Sequence, residues 1–543
     1  MKPTFIAVLE KSLALFVLAL ALLAPSAVAT NSAQDTAMRS FEKTLTLGAN
    51  QTLAMEHKFG DVHIHGENGR EVKISATIRV QATTQAEAEH NADQIKIEVS
   101  QDAEGIKVRT AYPDQHSWYI RAGKGPSYSV DYDIAVPNGA KLWLRNNFGN
   151  VEVHGVRGWT DIENGHGKLE LRDSGAAKLT NSFGGVEANG AVGNLTVVDN
   201  NGAVSVSTVK GTLDVKDRFA AITVSKVLGA VSISGGNGAV EVSDAGASTV
   251  SNSFGSVNAR NIHGDLTVND NNGSINADTV SGSATLNGSF GAITFANVSG
   301  SVKCTASNGK VKGGPAGEDA YVKTTFGEVS LEHVGGSVEV DDSNGEINVK
   351  DVKGRAKLNT SFGAIEATGI QKGVRAVTGN GRISLSDING DVFAKNSFGG
   401  VIVQRVSGAL TVENSNGPVT ANSVSGDTTA KTNFGPVNLD DIGGSVSVDN
   451  QNGAVVLSAA RQASTCKNIT VKNSFSTIQV RLLESAGYNL SAHTSFGRIN
   501  SELPITTSGQ VGGDSLNGKI GNGGCTLSLT NANGNIDILK LPQ

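Results

Sequence analysis

The sequence predicts an all-β protein, a parallel β-solenoid (β-helix) of ~18-residue coils with an N-terminal α/β cap and an irregular C-terminal β cap. Three observations carry this. Phe-Gly or Phe-Ala dipeptides begin at Phe148, Phe183, Phe219, Phe254, Phe290, Phe326, Phe362, Phe398 and Phe434, 35 or 36 residues apart. Asn-Gly dipeptides begin at Asn201, Asn237, Asn272, Asn308, Asn344, Asn380, Asn416 and Asn452, each 18 residues after the preceding Phe. Glycine is in excess, 66 of 543 residues, while proline numbers only 10, so the excess belongs to corners and not to a collagen-like or disordered tract.

Counting from the Phe or Asn as offset 0, one coil runs Phe254-Gly255, Val257, Ala259, Ile262, Gly264, Leu266 and Val268, and the next runs Asn272-Gly273, Ile275, Ala277, Val280, Gly282, Ala284 and Leu286. The apolar pairs at offsets 3 and 5, and again at 12 and 14, have the period of two that places both on one face of a strand, so each coil holds two short strands. Gly at offsets 1 and 10 is expected to supply positive φ at two opposite corners. Asn-Gly between apolar pairs is also a hairpin signal, but an antiparallel meander has no need of the same side chain every 18 residues. A solenoid does, because equivalent positions lie above one another at ~4.8 Å and pack against themselves, and corner Asn or Ser can hydrogen-bond to its own copy. The Phe148–Asn452 stretch then makes a rod on the order of 80 Å long.

Open rod ends expose unpaired strand edges, so both termini need caps. The expected division is residues 1–29 as a signal peptide, 30–147 as an N-terminal capping domain, 148–454 as the solenoid of 36-residue double repeats, and 455–543 as terminal coils and a C-terminal cap. Lys2 and Lys11, the apolar stretch Leu13–Leu23 and Ala27-Val28-Ala29 read as a secretory signal cut after Ala29. An uncleaved anchor is the alternative and the one route to a membrane. No cysteine follows the cut, so a lipid anchor there is excluded. Thr83 to Ile95 is the one helical stretch, with Thr83 and Thr84 as candidate caps.

The formal net charge is −6, and both signs are scattered, which argues against nucleic acid as a partner. Three cysteines cannot staple so long a chain. Cys466 and Cys525 are candidates to pair in an oxidising compartment. Cys304 replaces Val or Leu in the repeat and is expected to be a buried free thiol.

No catalytic residue, metal site or cofactor is expected. His63 and His65 lie on one side of a strand with His57 nearby, which invites a metal reading, but exposed strand histidines explain them as well. Polysaccharide-cleaving β-helices gather acids and a basic residue on one face, and no such column stands out here. The best ligand-binding candidate is the aromatic segment Tyr112, His116, Trp118, Tyr119, Arg121 and Tyr128, whose rings could stack on sugars or anchor a protein, or else form the core of the cap.

The order Phe41-Glu42-Lys43-Thr44, Gly60-Asp61-Val62-His63-Ile64, the Ala86–Glu89 helix, Tyr132-Asp133-Ile134-Ala135-Val136-Pro137 and the Asn-Gly coils resembles a bacterial "putative adhesin" family of unknown function. So does the ending, Thr494-Ser495-Phe496-Gly497-Arg498-Ile499 through Asn533-Gly534-Asn535-Ile536-Asp537-Ile538. The resemblance covers the mature chain and implies a β-solenoid with a surface or periplasmic role, without catalytic residues to carry over. One departure is that Phe-Gly replaces Asn-Gly in alternate coils. The expected function is that of an exported, non-enzymatic, adhesin-like protein of the periplasm, cell surface or medium, meeting a surface glycan or protein. An envelope scaffold or stress-response partner, and a polysaccharide-active enzyme, are the alternatives.

Overall fold

The computed structural model describes residues 35–113, 125–460, 466–507 and 512–541. The signal segment, with His116, Trp118, Tyr119 and Arg121, lies outside them. Among the described residues no helix is long and apolar enough to cross a membrane. The strands join into one continuous sheet wound into a parallel solenoid of about 18 turns. Each coil contributes two strands, and each strand pairs with its equivalent one coil away.

The register is the 18-residue repeat itself. Val257 pairs with Ile275, Ala259 with Ala277 and Ile262 with Val280 on one side of the coil. Leu266 pairs with Ala284 and Val268 with Leu286 on the other. All ten are buried. Small branched residues recur in these columns because the interior is only as wide as the side chains of two facing strands, and equal shapes nest at the strand spacing. The few departures compensate locally. The fully buried Phe295 lies in register with Gly313, which precedes Leu331 in the same column. Cys304 lies between Leu286 and Val322, buried and unpaired.

Glycine at offset 10 takes the expected positive φ at Gly264 (148°) and Gly390 (115°), but in most coils it does a different job. Gly408, Gly426 and Gly444 are not among the positive-φ residues. Each lies against its copy one coil below, and a Cβ on Gly426 would come within 2.5 Å of the Gly408 carbonyl. At these coils close backbone approach, not a left-handed turn, keeps the position glycine. The left-handed corner falls three residues earlier and is mostly not glycine, as at Thr208 (φ 57°), Asn297 (53°), Asp387 (57°) and Ser423 (59°). Asn, Asp and other polar residues tolerate that region at a corner where the side chain faces water.

Coiling begins before residue 148. Strands Thr52–Phe59 and Val62–Glu67 pair in parallel with Lys141–Phe148 and Val151–His154, and the chain between them makes an excursion. That excursion closes the rod. Strand Asp35–Thr46 lies antiparallel on Glu71–Ala82, which lies antiparallel on Ser127–Pro137. Helix Gln85–Gln94 packs over this end through Ala88 and Ala92, and the Thr84 hydroxyl accepts from the Glu87 N–H. Antiparallel strands and a helix end the parallel ladder that would otherwise template another chain.

At the far end the path leaves sequence order. Strand Cys525–Asn533 inserts between Ile469–Phe475 and Tyr488–Phe496, parallel to both. The last strand, Ile536–Lys540, likewise pairs with Ile478–Leu482 and Ile499–Ser501. Strand Ser515–Ile520 then closes this end antiparallel to Tyr488–Phe496 and Ile505–Thr507.

Candidate functional site

Each coil turns at offset 0, and there the side chain leaves the core. Strands before the corner bury offsets 12, 14 and 16, while strands after it bury 3 and 5. The residue between these two parities points to solvent. All eleven phenylalanines that occupy the corner from Phe148 onward are exposed, between 44% at Phe148 and 75% at Phe496. Register makes them one column: Phe148 pairs with His166 and His166 with Phe183, then Phe254 with Asn272, Phe290 and Asn308 in succession, and Phe398 with Asn416, Phe434, Asn452 and Phe475. Phe and Asn alternate along it.

The C-terminal insertion preserves that alternation. In the chain Phe475 is followed by Phe496 and then Asn533, but in space Asn533 lies between them, paired with each. At the other end His166 takes the place of Asn. Its ring stacks between Phe148 and Phe183 with centroids 4.6 and 4.7 Å away and planes within 1° and 5° of parallel. Phe59 extends the stack on the far side of Phe148 at 5.5 Å.

The Asn residues hold the corner together. Asn201, Asn272 and Asn416 each donate from Nδ2 to the carbonyl of the residue before the preceding Phe, at 3.3 to 3.4 Å. On either side of the rings stand small side chains, as at Ser253 and Gly255, Ser361 and Gly363, and Ser397 and Gly399. The phenylalanines therefore stand proud of a low stripe.

Beneath the corner, offset 16 carries a buried polar column that the apolar pattern conceals. Asn164 donates to the carbonyls of Gly149 and Gly167, both at 3.2 Å, and Asn414 and Asn450 repeat this pattern with their own glycines. Asn146 also donates to Asn164 Oδ1 at 3.1 Å, a copy-to-copy bond within this buried column and not at the corner, where it is expected; the others tie one coil's glycine to the next. Asp199, Asp217, Asp270 and Asp342 hold the same column. Burial pushes the carboxyls of Asp199 and Asp270 up to about 6, with a smaller push on Asp199 from Asp217 one coil away. Asp217 and Asp342 are raised in the same sense by burial.

Two members of the aromatic segment can be placed. Tyr112 and Tyr128 are half-buried and pack at 6.2 Å from one another. The Tyr112 hydroxyl donates to the Phe59 carbonyl at 3.1 Å, and the Tyr128 hydroxyl to Asn91 Oδ1 at 3.3 Å. Both serve the interior of the N-terminal end. The three histidines do not converge. His57 is buried with Nδ1 3.1 Å from the Thr110 hydroxyl, and burial lowers its pKa to about 4. His63 faces Glu152 at 3.1 Å, and His65 lies between Glu67 and Asp133. Among the described residues no group of three or more His, Cys, Asp or Glu side chains is arranged for a metal ion. Cys466 and Cys525 are disulfide-bonded.

No protein-family model matches the chain, and no curated protein does. A solved structure that matches is that of a "putative cell adhesion protein" from Clostridium sporogenes ATCC 15579, at 11% identity and a TM-score of 0.21, covering 38% of this chain and 99% of that one.

Proposed function

We propose that this chain is an exported, non-enzymatic, adhesin-like β-solenoid whose work is surface contact, with the Phe/Asn corner as its interaction face. The observation that carries this reading is the exposure of eleven phenylalanines in one column. Folding does not require them there, since Asn builds the same corner in the intervening coils. A long row of exposed rings, recurring in every second coil, marks a contact surface. Its repetition suits many weak contacts acting together.

The acids with raised pKa values give little support to an enzyme. Asp199 and Asp270 are 1% and 2% exposed and face the interior, where no substrate reaches them. The test is expression in the source cell, fractionation, and protease treatment of intact cells, followed by attachment to cells or envelope material. Export and a loss of attachment in the Phe254→Ser, Phe290→Ser, Phe326→Ser, Phe362→Ser variant support the proposal. A cytoplasmic protein, or unchanged attachment by a folded variant, overturns it.

A further inference from the structure

We propose that the occupant of the Phe/Asn corner is a second copy of this chain, the two rods lying side by side and antiparallel with the rings of each seated over the asparagines of the other. The inference rests on the reading of this corner as the interaction face and names what meets it.

Rings two coils apart are separated by ~9.6 Å, twice the strand spacing. The shorter Asn between them leaves a slot. The molecule itself shows what such a slot accepts, because His166 fills the equivalent place between Phe148 and Phe183 with a flat ring at stacking distance from both. From Phe183 to Phe496 ten rings bound nine slots that lack this filling. Filling them together requires a partner that presents flat apolar groups at the same ~9.6 Å interval over the same length. Another rod of this sequence does so by construction.

The area is sufficient. An aromatic side chain carries ~200 Å², and about half of each ring is exposed, so nine seated rings offer roughly 900 Å² per copy and roughly 1,800 Å² in the pair. Stable interfaces bury about 1,200–2,000 Å². The Ser, Gly and Ala residues beside the rings allow the backbones to come close.

Symmetry fixes the direction. A two-fold axis along the rods would set both copies at the same height, Phe against Phe and Asn against Asn. A two-fold axis across the rods, falling midway between a Phe coil and its neighbouring Asn coil, brings nine Phe residues of each copy opposite an Asn of the other. Only the second closes the zipper without leaving an open, growing contact.

The experiment is sedimentation and small-angle scattering of the purified full chain, with two variants whose folding is checked by circular dichroism. One removes rings: Phe290→Ser, Phe326→Ser, Phe362→Ser. The other keeps every ring and fills slots as His166 does: Asn272→His, Asn308→His, Asn344→His, Asn380→His. The expected result is a dimer with the maximum dimension of a single rod and twice its mass, weakened at least tenfold by either set. A monomer at tens of micromolar, a dimer of doubled length, or a dimer indifferent to slot filling overturns the zipper. If the chain is monomeric while the ring-deleted variant still loses attachment to cells, the zipper fails and the interaction face stands. If attachment is also unchanged, both fail.

Discussion

Gly313 lies against the ring of the buried Phe295, and a Cβ added to it would come 2.1 Å from the nearest ring carbon. The pair shares the column position that other coils fill with Val, Ala or Leu, so one large residue is offset by one absent side chain. Gly313→Ala should therefore lower stability by about 1–3 kcal/mol through overpacking. Adding Phe295→Val should restore most of the loss, and a double-mutant cycle on thermal unfolding reads the coupling. Equal, additive losses would dissociate the two residues.

Core and corner should respond oppositely to truncation. Leu358 is fully buried between Val340 and Ala376, and Leu358→Ala should cost about 2–5 kcal/mol. Phe326 is larger but 53% exposed, and Phe326→Ala should stay within about 0.5 kcal/mol. Melting at a protein concentration low enough to exclude self-association makes the comparison. A large loss from Phe326→Ala would mean that the ring serves folding.

The buried acids predict a pH dependence of unusual sign. Asp199 and Asp270 hold protons up to about pH 6 in the folded chain, whereas an unfolded carboxyl releases its proton near pH 4. Between those values the folded state binds more protons than the unfolded one, so stability falls as pH rises through about 4 to 6 and stays lower at neutrality. Asp199→Asn, which installs the residue found in neighbouring coils, should raise stability at pH 7 by about 1 kcal/mol and flatten the profile. Thermal melts across this pH range decide it.

Thiol chemistry should separate the cysteines. Cys304 is wholly buried, and burial pushes its thiol up to about 12, so it should resist a thiol reagent in the native protein. Denaturant alone should release one thiol per chain, and denaturant with reductant three. Reduction of Cys466–Cys525, which closes a separation of 59 residues, should cost about 2–4 kcal/mol at the C-terminal end. Native reactivity at Cys304 would contradict the packing of its coil.

The period of 18 was legible because stacking forces the same side chain to recur at the same height, and Val257 and Ile275 are in register for that reason. Thr84 as a helix cap and the burial of Cys304 followed from local chemistry. The exposure of the phenylalanines did not follow. Phe254 lies two residues beyond the inward Asn252 and three before the inward Val257, so the strands on either side assign it opposite faces, and only the corner geometry decides. The buried Asn and Asp column was hidden because its members differ between coils and carry no apolar signature. The position of Asn533 between two earlier strands was equally invisible, since a repeat pattern encodes height along the rod and not the order in which heights are visited.

That order has a consequence for how the molecule is finished. With Cys525–Asn533 and Ile536–Lys540 lodged between segments made before them, a chain not yet extended through these strands carries a gap one layer deep. Removing the last twenty residues would not give a shorter rod. It would leave Ile469–Phe475 and Tyr488–Phe496 facing one another across a missing layer, each with an unsatisfied ladder. Completion thus waits for these two strands, which act as a latch closed over layers laid down before them.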